Sequence, residues 1–347
     1  MIDLQILEER IRLIDPSGQP SEQRVEHRRD PLTGTVATVN AALSEKARIF
    51  LGVEDGALRQ DLEERSRATC PFCAAAEKGT RFEPSFAAEG QIRLGRSIAV
   101  PNLFAKAALD AVVIVDHATH ALSPSRLDPA AMATALRLAV DLVRRARARD
   151  GACRHHVVGM NFLPPGGSGV PHPHFQVHVR AVPYAGVERT AALGAAFRER
   201  TGRSYWEALL EEERRRGERF LGRTGPVEWL AAFAPSRQKE VWGLLPAAGS
   251  IAELDQAGAE GFAAGICKVV SGYEEGGSSP FTLAFLSAPE PGRARDLALQ
   301  VRIASRPSLR SLYNNYETWF APLFLGDDAH TETPEALASR LRGRFQP

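Results

Sequence analysis

The sequence predicts an α+β fold, and three observations carry that expectation. Short segments rich in Val, Ile and Thr, bounded by turn residues, read as strands: 35–39, 111–115, 156–162 and 281–286. One long segment, 129–149, reads as an amphipathic helix, with Met132, Leu136, Ala139, Val140 and Val143 recurring at helical spacing. The two kinds of segment are interleaved along 347 residues, enough chain for more than one core.

Taken in order, the N-terminal segment up to residues 16–20 reads as a short helix or arm. Asp30-Pro31-Leu32-Thr33-Gly34 is a turn signal that releases the strand at 35–39. Residues 57–68 are charged at helical spacing and lead into Cys70-Pro71-Phe72-Cys73, a knuckle. Strands follow at 92–94, 97–100 and 111–115. The helix at 129–149 has Asp128 as its cap and Pro129 in its first turn. A strand at 156–162 then runs into the loop Pro164-Pro165-Gly166-Gly167-Ser168-Gly169-Val170-Pro171. From about residue 186 the texture changes: helices are expected near 188–217, 226–232, 236–248 and 251–272, and strands at 281–286 and 297–303. A last helix opens at Pro334 with Thr333 as cap.

Composition narrows the function classes. Lys and Arg total 43 against 42 for Asp and Glu, a net charge of +1 that calls for neither nucleic acid nor an anionic membrane. The arginine runs at 144–149 and 214–219 read as solvated helix faces. No apolar run approaches the roughly 20 residues that span a bilayer, and the first ten residues lack a signal-peptide core. The expectation is a soluble, cytoplasmic protein. In that compartment the Cys-x-x-Cys pair suits a metal better than a disulfide.

The stretch carrying most chemistry is His172-Pro173-His174-Phe175-Gln176-Val177-His178. On a strand, alternate residues share a face, so His172, His174, Gln176 and His178 point one way while Phe175 and Val177 pack behind. Pro173 places this part of the strand at an edge or at its beginning. The small-residue loop just before it brings backbone amides close enough for an anion. Imidazole, with a pKa near 6.5, is a nucleophile at neutral pH, and attack on phosphorus splits one transfer into two easier ones. The loop amides and Gln176 are placed to hold the non-bridging oxygens. A tetrahedral zinc site needs about four N or S ligands. Cys70 and Cys73 supply two, Cys153 and Cys267 form no second pair, and the remaining ligands come from among His117, His120, His155, His156 and His172.

These residues resemble galactose-1-phosphate uridylyltransferases, of the histidine-triad superfamily. The likeness runs in order through the first half: His27 to Gly34, Cys70-Pro71-Phe72-Cys73, Pro101-Asn102-Leu103-Phe104, Val113 to His120, Asn161, Gly167, and Pro171 to Gln176. The resemblance implies a mostly antiparallel histidine-triad-like sheet with packed helices, in a pseudo-duplicated pair of units. It divides the chain into an arm (1–23), a catalytic domain with the zinc knuckle (24–185) and a diverged second unit (186–347). It implies that His174 carries the nucleotidyl group, that Gln176 holds the phosphoryl oxygens, and that structural zinc is bound by Cys70, Cys73, His120 and His172. Asn102, Phe104, Asn161, Gly167 and Ser168 would line the nucleotide site. The partners implied are a nucleoside diphosphate sugar and a phosphorylated acceptor, in a homodimer.

Gln176 stands where related triad hydrolases carry a third histidine, which favours transfer over hydrolysis. The sequence also departs from the family. Gly169 replaces a serine, with Ser168 displaced by one; the Arg-x-x-Arg after the first strand is missing, with only Lys46 and Arg48 nearby; and His330 is the sole histidine of the second half. The expectation is therefore nucleotidyl transfer by a ping-pong route, with Arg302 or Arg306 as contacts for acceptor phosphate. Two alternatives stand beside it: a phosphorylase acting on ADP-glucose or a dinucleoside polyphosphate, and a non-catalytic nucleotide-binding protein.

Overall fold

The computed structural model describes residues 2–44, 53–311 and 318–346; Lys46 and Arg48 lie outside them. Its centre is a ten-stranded sheet, antiparallel at every pairing, in the order β4-β5-β6-β8-β7-β12-β13-β11-β10-β9. The first half supplies β4 (Ile92–Leu94), β5 (Ser97–Pro101), β6 (Leu109–Ile114), helix α2 (Pro129–Arg149), β7 (His155–Phe162) and β8 (His174–Arg180). The second half supplies β9 (Phe220–Thr224), β10 (Val227–Ala231), β11 (Val241–Leu245), helix α5 (Gln256–Glu275), β12 (Phe281–Leu286) and β13 (Leu299–Ser305). The strand order is the same in both halves, and they join where β7 pairs with β12.

The helix α2 begins where the sequence places it: Pro129 occupies the first turn, and the Asp128 carboxylate accepts from the amides of Ala130 and Ala131. Helices α2 and α5 pack together on one sheet face and bury Phe175, Val177, Val179, Val301 and Ile303 beneath them. On the other face, α3 (Ala185–Thr201) and α4 (Tyr205–Arg216) cover the second half, with Tyr205, Trp206 and Leu209 against Leu230, Trp242 and Leu244. Helix α1 (Gly56–Thr69) precedes the knuckle. Strand β8, which carries His174 and Gln176, lies in the interior of the sheet and starts at His174, directly after Pro173.

Two expectations fail, for one reason. The N-terminal segment is not a helix. Strand β1 (Ile6–Ile14) pairs with β2 (Pro20–Arg29) in a hairpin that leads a second, four-stranded sheet with β3 (Val36–Val39) and β14 (Asp328–His330). Residues 226–232 and 236–248 are not helical but contain β10 and β11. All nine residues of β1 are exposed, whereas β10 and β11 are buried at every position. A strand wet on both faces and a strand dry on both faces each lose the period-two alternation that identifies strands.

Trp229 on β10 shows how tightly α5 seats on the sheet. Its ring lies between Gly243 on β11, where an added Cβ would come within 2.7 Å of the indole, and Gly265 on α5, where it would fall inside the ring's van der Waals surface. The indole N–H donates to Thr224 Oγ1 at 2.7 Å. The chain ends are tied by a buried ionic network. Arg28 on β2 reaches both oxygens of Glu335 on α6 (Pro334–Arg342) at 2.8 Å, and Arg219 reaches Glu335 at 2.7 Å and Glu213 at 3.0 Å. Burial alone would raise the Glu335 carboxyl, but its bonds to Arg28 and Arg219 hold it at about 2.

Two predictions follow from this packing. Gly265→Ala gains roughly 1 kcal/mol of helix propensity but overpacks against a ring that cannot retreat, a cost of about 1–3 kcal/mol or more; urea unfolding will show a net loss of stability. Glu335, held below its ordinary carboxylate value of 4.5, contributes stability that is complete above about pH 4.5 and is lost as pH falls towards about 2. Burial raises Glu213 instead, so its titration lies above that window. Urea midpoints taken at stepped pH will fall across this range, and less steeply in Glu335→Gln.

Candidate active site and metal cluster

Three separate segments bring Cys70, Cys73, His120 and His172 together, with their ligand atoms all within 4.8 Å of one another. The two Sγ–Nδ1 separations to His172 are 3.5 Å, Cys73 Sγ lies 3.4 Å from His120 Nδ1, and the two Nδ1 atoms are 3.2 Å apart. A tetrahedral ion with Zn–S and Zn–N bonds of ordinary length needs edges of about 3.5 Å and about 3.3 Å. The cluster therefore has the donor set and the size for such an ion. The outer shell fits as well. His172 Nε2–H donates to the Asp116 carbonyl at 3.0 Å, and His120 Nε2 bonds Ser66 Oγ at 2.9 Å, so both rings turn Nδ1 inward. Burial holds His172 at about 4, neutral and ready as a ligand. Burial and the adjacent Cys70 push the Cys73 thiol up to about 11.

The other histidines on the candidate roster stay outside this cluster. His117 is half-buried and bonds the Arg96 carbonyl through Nδ1. His156 is buried against Ser287, and His155 sits beside it at the start of β7. His172 itself precedes β8 and turns to the cluster, so it does not share the strand face with His174.

His174 opens β8 and is 4 % exposed. Its Nδ1 lies 2.7 Å from the His172 carbonyl, which can only accept, so Nδ1 carries the proton and Nε2 the free lone pair. Burial lowers its pKa, partly offset by that carbonyl, and keeps the ring neutral. Phe72, inside the Cys-x-x-Cys knuckle, meets the ring edge-on at a centroid distance of 4.9 Å. The Cys–His cluster and the imidazole are thus coupled twice, through the His172 carbonyl and through Phe72.

Gln176 and His178 follow on the same face. Gln176 pairs with Val112 on β6 and Gly159 on β7; His178 pairs with Asp110. The sheet face around them is half open at Val157, Gly159, Asn161, Gln176, His178, Thr282 and Ala284. It is walled on one side by the knuckle's apolar cluster with Ile98, Val112 and Ile114, and on the other by α3 and α4. Gly159 brings no side chain to this trough.

The remaining predicted nucleotide contacts divide. Asn161 lies on the trough face of β7, with Gly167 (φ 87°) beside it. Asn102 gives its amide to Asp110 Oδ1 and accepts from the Phe104 amide, and Phe104 is 78 % exposed. Ser168 is buried and donates its hydroxyl to the Val170 carbonyl, so it braces the loop. The expectation that the loop amides are free for an anion needs correction. Those of Gly166 and Ser168 donate to the Leu163 carbonyl and that of Gly167 to Pro164, forming a tight turn entered through Leu163 at φ 63°. That backbone conformation costs a non-glycine residue about 1–3 kcal/mol.

Asp110 escaped the sequence reading. Its side chain is fully buried, accepts from Asn102 and from the Lys106 amide, and faces His178 Nε2 at 3.5 Å. An acid at the head of an otherwise apolar strand was the available signal.

No family model matches the chain. An uncharacterised protein of Archaeoglobus fulgidus is 25 % identical over 328 residues, covering 94 % of each chain. Among solved structures, an ADP-glucose phosphorylase from Arabidopsis thaliana with bound ADP-glucose aligns with a TM-score of 0.69 at 15 % identity, over 92 % of this chain and 98 % of that one. A GalT-like protein of the same plant aligns at 0.65 and 14 %, again over 92 % and 98 %. The structure of a uridylyltransferase mutant gives 0.65 and 16 %, over 92 % and 97 %. The chain therefore has the fold of the uridylyltransferases and of ADP-glucose phosphorylase across nearly its whole described length.

Proposed function

We propose that this protein is a nucleotidyltransferase that moves a nucleoside monophosphate group from a nucleoside diphosphate sugar to a phosphorylated acceptor, through a covalent nucleotidyl-His174. The observation that carries this reading is the state of His174: neutral, with Nδ1–H committed to the His172 carbonyl and Nε2 open, next to Gln176 on a half-open trough. Nε2 attacks the α-phosphorus, the N–P bond forms, and the P–O bond to the sugar phosphate breaks with its electron pair leaving on that oxygen. The acceptor's phosphate oxygen then attacks the same phosphorus and returns the lone pair to Nε2. The departing group is a phosphate, an anion stable at neutral pH, so neither step needs a proton donor. A neutral amide at Gln176, which holds the non-bridging oxygens, suffices.

In this reading Cys70, Cys73, His120 and His172 hold zinc. The metal supplies a rigid crosslink, and the chain's own residues do the rest: the His172 carbonyl orients His174, and Asn102, Phe104 and Asn161 receive the nucleoside. Ser168 and the loop 163–171 keep that end of the trough in shape. The likeness to ADP-glucose phosphorylase favours a second reading with the same first half-reaction, in which orthophosphate is the acceptor. A homodimer belongs to either reading, and the exposed Leu7, Ile11 and Leu13 of β1 and Phe320 and Phe324 offer apolar surface for it.

With a nucleoside diphosphate sugar donor and the labelled sugar 1-phosphate of the same sugar, and no second acceptor, the protein will exchange label into the donor, as a double displacement requires. His174→Ala will lower that exchange by about three orders of magnitude or more. Lack of exchange with every donor of a base and sugar panel contradicts the proposal. Offering orthophosphate or a second sugar 1-phosphate then separates the two readings by product, a free nucleoside diphosphate or a new nucleotide sugar. Metal analysis will find about one zinc per chain. Ser66→Ala will weaken zinc affinity by about tenfold or more through its bond to His120; full activity in zinc-free protein contradicts the ligand assignment.

A further inference from the structure

The pairing register places Arg302 in the same row as Gln176. Gln176 on β8 pairs with Gly159 on β7, Gly159 with Ala284 on β12, and Ala284 with Arg302 on β13. Directly paired residues in antiparallel strands put their side chains on the same sheet face. Arg302 therefore rises from the trough face, three strand spacings from Gln176, or about 14 Å between backbones. The two residues between them are a glycine and an alanine, so nothing taller stands in the row. Arg302 and Gln176 thus stand in one row of this floor, with the guanidinium turned to the β11 side.

The guanidinium is already oriented. It lies over the ring of Trp242, its partner on β11, at 4.3 Å, and its Nε donates to Gln300 Oε1 at 3.1 Å. Among the described residues its terminal nitrogens carry no hydrogen bond. An arginine fixed by stacking and by Nε, with its outer edge open, is arranged to take an oxyanion through the paired donors of that edge. The position relative to His174 assigns the ligand. Asn102, Asp110 and Phe104 lie on the β6 side of His174, and Arg302 lies on the β13 side. If the nucleoside occupies the first side, the phosphate-bearing group that leaves, and the one that replaces it, occupy the second.

We infer that Arg302 anchors the sugar phosphate half of the reaction, contacting an anionic group of the departing sugar phosphate and of the incoming acceptor. The inference rests on the nucleotidyl-transfer reading for the direction of the ligand, and its test separates the two. In the full-length protein, Arg302→Ala will raise the half-saturating sugar 1-phosphate concentration in the exchange reaction by about tenfold or more, the loss of one charge-assisted contact. That rise will exceed the fall in maximal exchange rate. Nucleoside monophosphate binding, followed by calorimetry, will move less than about twofold, and Arg302→Lys will recover only part of the loss because an ammonium neither forks nor stacks in the same way.

Calorimetric titration with sugar 1-phosphate alone gives a second measure that does not depend on turnover. An acceptor concentration dependence unchanged in Arg302→Ala overturns the Arg302 inference while leaving exchange through His174 intact. An equal weakening of sugar 1-phosphate and nucleoside monophosphate also overturns it, since that is the signature of a disturbed sheet. If the wild-type protein shows no exchange, the transfer reading fails, and calorimetry still decides whether Arg302 binds the sugar phosphate.

Discussion

The junction of Cys70, Cys73, His120 and His172 is the constraint on which the rest of the site depends. These residues come from the end of α1, from the loop after β6 and from the turn before β8, and the core of the sheet does not by itself fix where those three loops meet. Cysteines and histidines crowded to 3.2–3.5 Å in a buried setting are poorly accommodated without a cation and well accommodated around one. Closing that junction places the His172 carbonyl, and the carbonyl decides which nitrogen of His174 carries the proton. The Cys–His cluster can thus set which ring nitrogen is protonated on an imidazole two residues away.

The sheet supplies the complementary constraint. Antiparallel pairing of β6, β8, β7, β12 and β13 converts positions far apart in sequence into neighbours on one face: Asp110 beside His178, Asn161 beside Thr282, and Gln176 in line with Arg302. Burial of Phe175, Val177 and Val179 under α2 and α5 makes this register costly to shift, because a slip of one residue would drive the histidines and the glutamine into the apolar layer. The trough stays open where Gly159 and Ala284 leave height above the sheet, and it is closed at its ends by the knuckle and by α3 and α4.

Much of the site was legible in the sequence because its signals are local. The His-Pro-His-Phe-Gln run carries its own period, the Cys-x-x-Cys pair has knuckle spacing, and Asp128-Pro129 marks a helix start. Ligand choice among five histidines was not legible from spacing alone; it came from the resemblance, and in the fold His117 turns to the Arg96 carbonyl while His120 reaches the cysteines. The strands at Val227–Ala231 and Val241–Leu245 were unreadable because tertiary burial on both faces removes their alternation, and β1 because exposure on both faces does the same. The alignment of Arg302 with Gln176 across two intervening strands is a property of topology, and no local pattern contains it.

The central claim is that His174 Nε2 becomes bonded to phosphorus during the reaction. The most direct measurement is mass spectrometry of the protein after brief exposure to a nucleoside diphosphate sugar without acceptor, followed by peptide mapping at neutral to alkaline pH, where a phosphoramidate survives. The account predicts one nucleoside monophosphate added per chain, located on His174, lost on mild acid treatment and absent from His174→Ala. An adduct on another residue, or turnover by a protein that never carries one, would contradict it.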